Sequence, residues 1–210
     1  MGLTLKVAPA TEPVTLVEAK GHCKVDLSDD DTLITGLIST ARKQAEQRTG
    51  RALITQQWEL TQETFFDAWR SRCVVSPDSI VSGRYPARIY LPKPKLQSVQ
   101  SVKYLDENGV QQTLVSTEYQ VVTSELVGYI QPAYGKCWPS CRVQPDSVVV
   151  AYTAGYGTAL STEEQSIKSW MLMAISTLYN QRDAVIAGAV NELPHDFFAG
   201  LLDPHVVPSV

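Results

Sequence analysis

Residues 28–62 are SDDDTLITGLISTARKQAEQRTGRALITQQWELTQ, and the period of the apolar residues changes within this stretch. From Ser28 they recur at helical spacing, with three aspartates at the positive end of the helix dipole and Gly50 as the stop. After Gly50 the period becomes two, and Trp58 and Leu60 fall on one face of a predicted strand. A helix followed directly by a half-buried strand predicts a fold that mixes both elements.

Two more helices are expected on either side of this stretch. Thr15 and Glu18 fit a capping box, which predicts a short helix that ends near Lys24. A third helix is expected after Ser161 or Thr162. Its apolar residues cover more than one face, so we expect it to pack against a second subunit as well as its own core. The candidate residues for the subunit core and ring interface are Leu33, Leu37, Ile38, Ile167, Trp170, Met171, Ile175 and Leu178.

The segment between the helices has the short alternating runs of an antiparallel sheet. An Asn-Gly pair at residues 108–109 favours a hairpin. Residues 1–13 are expected to form an irregular or extended leader, since two prolines oppose a helix. We therefore predict an α+β fold: N-terminal arm and helices over 1–50, a β-rich antiparallel insertion over 51–158, a C-terminal core helix over 159–183 and an extended tail over 184–210. This is one domain with an insertion.

The composition excludes several classes of protein. The 210 residues carry 18 Lys and Arg against 22 Asp and Glu, a net charge of −4. This balance argues against general coating of nucleic acid, which needs clustered cations. The apolar runs are far shorter than the roughly 20 residues that span a membrane, and a signal peptide is not evident. We therefore expect a cytosolic protein with reduced cysteines.

The residues that could carry chemistry do not form a site. Cys137 and Cys141 are the one close cysteine pair, but a zinc site needs four ligands. Residues 154–157 (AGYG) lie between a strand and a helix yet lack the phosphate-loop spacings, so a turn with positive φ explains the glycines better. His195 lacks a nucleophile and an orienting partner. We predict no catalytic, cofactor-binding or metal-binding residues and no enzyme activity.

The last 27 residues are unusually apolar for a free tail. They contain no lysine or arginine and three prolines, yet they hold apolar residues that suit docking onto a partner. The candidate docking residues are Leu193, Phe197, Phe198, Leu201, Leu202, Val206 and Val207.

The order of several segments resembles the phage head–tail connector family, also called adaptor or head-completion proteins. The matching segments are EPVTLVEAK (12–20), GRALITQQW (50–58), LPKPKLQSV (91–99), VKYLDENG (102–109), WP (138–139), QP (144–145), VVVAYTAGYG (148–157) and LYNQRD (178–183). They span most of residues 12–183, whereas residues 65–85 and the tail match weakly.

This resemblance implies a structural virion protein. Its members form rings of about 12 copies below the portal, extend the DNA channel and present a docking surface for the next neck or tail-completion protein. The implied partners are the chain itself, the portal protein, that downstream protein and genomic DNA that passes without sequence-specific binding; a membrane is not among them. The implied location is the virion neck, after assembly in the bacterial cytoplasm, and the tail is expected to reach the portal.

Two other classes of function stay open. The chain could be a tail terminator or another neck protein on the tail side. It could also be a small hydrolase that uses His195 or the Cys137 and Cys141 pair. Binding to tail-tube protein would favour the first, and bound metal or loss of activity in His195→Ala would favour the second.

Overall fold

The computed structural model describes residues 1–65, 88–161, 164–181, 198 and 200–208. The chain divides into two compact units, each built from separate stretches of sequence. The β unit comprises Met1–Ala8 and Gln56–Gly155, and the helical unit comprises Pro9–Thr55 and Tyr156–Val210. The described helices include none that is both long and apolar enough to cross a bilayer.

A five-stranded antiparallel sheet forms the centre of the β unit. Its strands, in spatial order, are β1 (Gly2–Val7), β2 (Gln56–Gln62), β8 (Val148–Ala154), β4 (Leu96–Leu105) and β5 (Gln111–Leu114). Leu60 pairs with Val150, and Val150 pairs with Val102. Directly opposed residues share a face, and all three are at most 1% exposed. This row marks the buried face of the sheet.

A second, three-stranded antiparallel sheet belongs to the same unit. It consists of β3 (Ile89–Tyr90), β7 (Tyr129–Pro132) and β6 (Tyr119–Val122). Gly128 lies so close to the Leu96 side chain that an added Cβ would stand 2.5 Å from its Cδ2. The lack of a side chain at Gly128 therefore permits the close approach of the segment before β7 to the start of β4.

Aromatic residues fill one end of the β-unit core. The Phe65 ring stacks on Trp138 with centroids 4.9 Å apart and meets Tyr104 edge-on at 5.5 Å. Tyr152 is fully buried on β8, and its hydroxyl donates to the Pro92 carbonyl at 2.8 Å. Burial raises the pKa of Tyr152 well above its usual range, so this residue stays a neutral donor.

Within its described residues, the helical unit contains the helices α1 (Leu16–Cys23), α2 (Asp31–Thr49) and α3 (Gln165–Asn180). Thr15 and Glu18 form the capping box at the start of α1. Gly50 ends α2 with φ of 74°, a left-handed conformation that glycine adopts without strain. One apolar core holds the helices together, and its largest members include Ile34, Ile38, Leu53, Ile167, Trp170, Met171 and Ile175.

A buried arginine ties the N-terminal arm to α2. Arg42 is 6% exposed, and its Nε donates to Glu12 Oε2 at 2.8 Å while its Nη1 donates to Glu46 Oε2 at 2.9 Å. Two carboxylates thus neutralise one buried guanidinium, which is the condition for tolerating such a charge inside a protein.

The α+β class and the sequence-predicted helices are confirmed, but one expectation about the sheet is wrong and a second is incomplete. In the part of the chain that the structure describes, the β unit contains two sheets instead of one. The extended leader contains the six-residue strand β1, whose residues pair with β2 at least 50 positions away. Residues 1–8 therefore belong to the β unit and not with the N-terminal helices. The strand was missed because its partner is distant in sequence, and pairing, not local propensity, stabilises an edge strand.

Candidate assembly interface

Most of the residues predicted for the ring interface lie inside the chain's own helical core. Five of the eight are buried, with exposures between 0 and 3%: Ile38, Ile167, Trp170, Met171 and Ile175. Leu37 packs against the same core and is partly buried. Leu33 is 41% exposed and Leu178 is 36% exposed. The buried residues therefore pack in the core of the subunit itself. Of the eight, Leu33 and Leu178 expose the most surface to a neighbouring subunit.

The exposed pair lies at one end of the helical unit. The Tyr179 hydroxyl donates to Asp30 Oδ2 at 2.6 Å, so the end of α3 meets the start of α2. Leu178 adjoins Tyr179 in the chain, and Leu33 lies in the first turn of α2. Leu27, 71% exposed, is in the loop that leads into α2.

The same loop carries exposed acidic side chains. Asp26 and Asp29 are exposed, and they lie on either side of Leu27. We call the surface formed by Asp26, Leu27, Asp29, Leu33 and Leu178 the acidic end. It combines exposed apolar side chains with negative charge. In a protein–protein interface, such charges favour a partner of opposite charge.

The described part of the C-terminal tail packs on the helical unit. Leu202 is 2% exposed and belongs to the helical core. The Phe198 ring stacks on Trp170 with centroids 5.1 Å apart. The Val207 amide donates to the Thr49 carbonyl at 2.8 Å, which satisfies a carbonyl at the end of α2. We call residues 200–208 the C-terminal segment.

Polar contacts add to this attachment through His205. The Arg51 Nε donates to the His205 carbonyl at 2.5 Å, and His205 Nε2 lies 2.8 Å from Ser166 Oγ. Burial, reinforced by the nearby Arg51 charge, lowers the pKa of His205. A neutral imidazole is therefore favoured in the folded helical unit.

These contacts change the interpretation of the predicted docking tail. Leu202 is core, Phe198 and Leu201 pack against that core, and residues 203–205 form a 3-10 turn in place of an extended chain. Val207 is half-buried, and Val206 is 43% exposed. Leu193 and Phe197 lie outside the described residues. The apolar composition of this segment reflects, at least for Leu202, a structural role within the subunit.

The residues considered for chemistry do not assemble into a reactive centre in the described part of the chain. Cys137 is disulfide-bonded, which corrects the expectation that it is reduced, whereas Cys23 and Cys141 are free thiols. Cys73 and His195 lie outside the described residues. Burial raises the pKa of the Cys23 thiol, which disfavours the reactive thiolate.

The metal and phosphate interpretations find no support in the described geometry. Within the described ranges, His, Cys, Asp and Glu do not group in threes as metal ligands. Gly155 and Gly157 have φ of 127° and 130°. The turn explanation for these glycines is thus confirmed.

A surface that the sequence reading missed lies at the β1 edge of the large sheet. All six residues of β1 are exposed, and its apolar residues Leu3, Leu5 and Val7 are 37, 42 and 48% exposed. Leu5 pairs with Trp58, so these two side chains share a face. The Lys93 Nζ lies 5.9 Å from the centre of the Trp58 ring. We call Leu3, Leu5, Trp58 and Lys93 the basic edge; Val7 follows a bulge and pairs with Gln57 on the other face. The alternation of Leu3 and Leu5 was the signal that could have revealed this surface.

Comparison with known proteins shows the family to which the chain belongs. The profile of the phage gp6-like head–tail connector proteins matches residues 13–121, more than half of the chain. Among curated proteins there is no match.

Solved structures share the fold over the whole chain. A chain from the neck of an empty gene transfer agent particle, computed with C6 symmetry, superposes with a TM-score of 0.73 at 20% identity, covering 100% of this chain and 97% of that chain. A chain from the virion of a native gene transfer agent particle gives a TM-score of 0.73 at 18% identity with the same coverage. A chain from the neck of the native particle, computed with C12 symmetry, gives 0.70 at 17% identity, again with the same coverage.

The family match extends from the helical unit into the β unit. The buried residues of the helical unit pack in its own core. Apolar residues are exposed at the acidic end and at the basic edge. The chain belongs to the phage gp6-like head–tail connector family, and its role is that of a structural connector, or adaptor, protein.

Proposed function

We propose that the protein forms a closed ring of about 12 copies below the portal, extends the DNA channel and presents the docking surface for the next neck or tail-completion protein. Membership of the connector family carries this proposal. The ring is supported by the symmetry with which the similar neck was computed and by the exposed apolar residues of the acidic end and the basic edge. A ring contact joins two different patches, as these are.

We infer a structural role without catalysis, in the virion neck, after assembly in the host cytoplasm. The free thiol of Cys23 is held in its unreactive form by burial, and His205 is engaged by Ser166 and Arg51 in holding the C-terminal segment. These two observations support a structural role for Cys23 and His205 in place of a catalytic one.

The interaction with DNA is proposed to be passage without sequence-specific binding. The two stretches that form the helical unit hold eight Lys and Arg against thirteen Asp and Glu, a net charge of −5. An acidic surface gains nothing from counterion release by phosphates, so DNA that passes it does not adhere. Reversal of exposed acidic residues that line the channel should slow DNA exit, and unchanged ejection would contradict this proposal.

Docking to the portal is proposed for the tail, with Val206 as its exposed described member. Val206→Asp should weaken portal binding and leave the far-ultraviolet circular dichroism spectrum unchanged, because this side chain is 43% exposed. Deletion of residues 193–210 is a poor test since it also removes Leu202 from the core. Unchanged portal affinity in the Val206→Asp protein would assign docking elsewhere.

The experiment that tests the proposed function is reconstitution with the cognate portal. Purified protein is mixed with portal, the product is weighed by light scattering, and particles are imaged. A portal-bound ring of about a dozen copies supports the proposal. Folded protein that does not bind portal but binds tail-tube protein would instead make it a tail terminator or another neck protein on the tail side.

A further inference from the structure

We propose that adjacent copies in the ring meet through the acidic end of one subunit and the basic edge of the next. This inference rests on the proposed ring and identifies the two surfaces that close it. Each surface has exposed apolar side chains beside charge, and the charges are opposite. The occupant of the basic edge is therefore a second copy of this chain.

The basic edge has the properties of a surface that is covered in the assembled state. β1 is the outermost strand of the sheet in the described chain. Leu3 and Leu5 pair with Leu60 and Trp58 and continue the apolar face of the sheet to this edge, whereas a bulge after Leu5 pairs Val7 with Gln57 on the other face. An uncovered edge strand with an apolar face is prone to unwanted pairing, and proteins cover such edges with a loop, a helix or another strand. The loop before α2 in the acidic end supplies such a cover.

The net charges of the two units favour a contact between the helical unit of one copy and the β unit of the next. The stretches of the β unit hold ten Lys and Arg against nine Asp and Glu, a net charge of +1, whereas those of the helical unit sum to −5. A contact between two helical units would bring like charges together. A contact between a helical unit and a neighbouring β unit brings opposite charges together, and such complementarity excludes the wrong pairing.

Individual side chains repeat this complementarity. Lys93 is positioned above the Trp58 ring, with its ammonium 5.9 Å from the ring centre, next to the row of exposed leucines. Asp26 and Asp29 flank Leu27, which is 71% exposed. Docking Leu27 against Leu5 would place an aspartate near Lys93. Repeated around the ring, this contact is heterologous and closes by rotation.

The decisive experiment is a reciprocal charge reversal on portal-bound protein. Asp29→Lys and Lys93→Glu should each reduce the number of copies bound per portal at least tenfold at a fixed concentration. The double variant, with both reversals in every copy, should recover most of the loss because the charges are again opposite. Lys43→Glu is the matched control, since Lys43 is exposed on α2 outside both surfaces.

A second measurement on the unmodified protein gives the contact directly. Carbodiimide joins a carboxylate to an amine without a spacer, so portal-bound rings made from equal parts of ¹⁴N and ¹⁵N protein should yield mixed-isotope peptides that join Asp26 or Asp29 to Lys93. Circular dichroism confirms that each variant is folded.

The possible results distinguish a failure of the proposed interface from a failure of the proposed ring. If the unmodified protein forms the ring, but the single reversals leave the copy number unchanged or mixed-isotope cross-links at these residues are absent, the proposed interface is wrong and the proposed function stands. Loss in both single variants without recovery in the double variant also overturns the pairing of these two surfaces. If the unmodified protein binds portal without forming a ring, or does not bind it, the proposed function fails and this interface fails with it.

Discussion

Leu202→Ala tests whether the C-terminal segment is part of the subunit core. Leu202 is 2% exposed within the helical core, and replacing a buried leucine with alanine costs about 2 to 5 kcal/mol. Phe198 and Leu201 are only partly buried, so the site lies at the rim of the core, where neighbours can adjust. We therefore expect the lower half of that range, about 2 to 3 kcal/mol.

Urea denaturation followed by the helical signal at 222 nm measures this loss. With a slope of about 2 kcal/mol per molar urea, the midpoint should fall by about 1 to 1.5 M. Val206→Ala is the matched control: the side chain is 43% exposed, and the change should stay within about 0.5 kcal/mol. A Leu202→Ala protein as stable as the control would refute the packing of this segment and restore the extended tail.

Three other predictions concern the helical unit. Arg42→Ala leaves Glu46 without its buried counter-charge and should destabilise the unit by roughly 3 kcal/mol in urea, whereas the exposed Lys43→Ala should be near neutral; equal effects would contradict the buried pair. Thr15→Ala removes the oxygen that caps α1 and should cost about 1 kcal/mol in thermal unfolding; an unchanged melting temperature would show that the cap is dispensable. Because the folded pKa of His205 lies below the unfolded value of 6.5, the unfolded state binds more protons between those values, so stability should fall as pH drops through 6.5. His205→Gln should flatten this dependence in denaturation curves between pH 5 and 8, and a retained slope would assign it to another group.

Local signals predicted the helices well because their causes lie within a few residues. The capping box of Thr15 and Glu18 and the left-handed Gly50 both appear as expected. The start of α2 differs by two residues, since the N-cap is Asp30 and not Ser28. Spacing along the chain was sufficient wherever the stabilising contact was local.

Long-range pairing could not be predicted in the same way. The Thr4 partner in the sheet is Glu59, and Leu202 packs in the same core as Trp170; neither separation leaves a local pattern. An apolar residue also gives the same signal whether its partner is its own chain or another protein. That ambiguity explains why buried core residues and a docked tail were both assigned to partners.

The division of each unit between distant stretches of sequence determines the order in which the protein can mature during translation. Every strand of the β unit has been synthesised by residue 155, so both sheets can close on the nascent chain. The helical unit has to wait for α3 and the residues around Leu202, which are synthesised only after the β unit. Long separations between contacting residues also slow folding. The acidic end depends on α3 through Tyr179 and Leu178. A nascent chain therefore carries its basic edge before its acidic end, and self-association on a polysome is delayed until α3 has been synthesised.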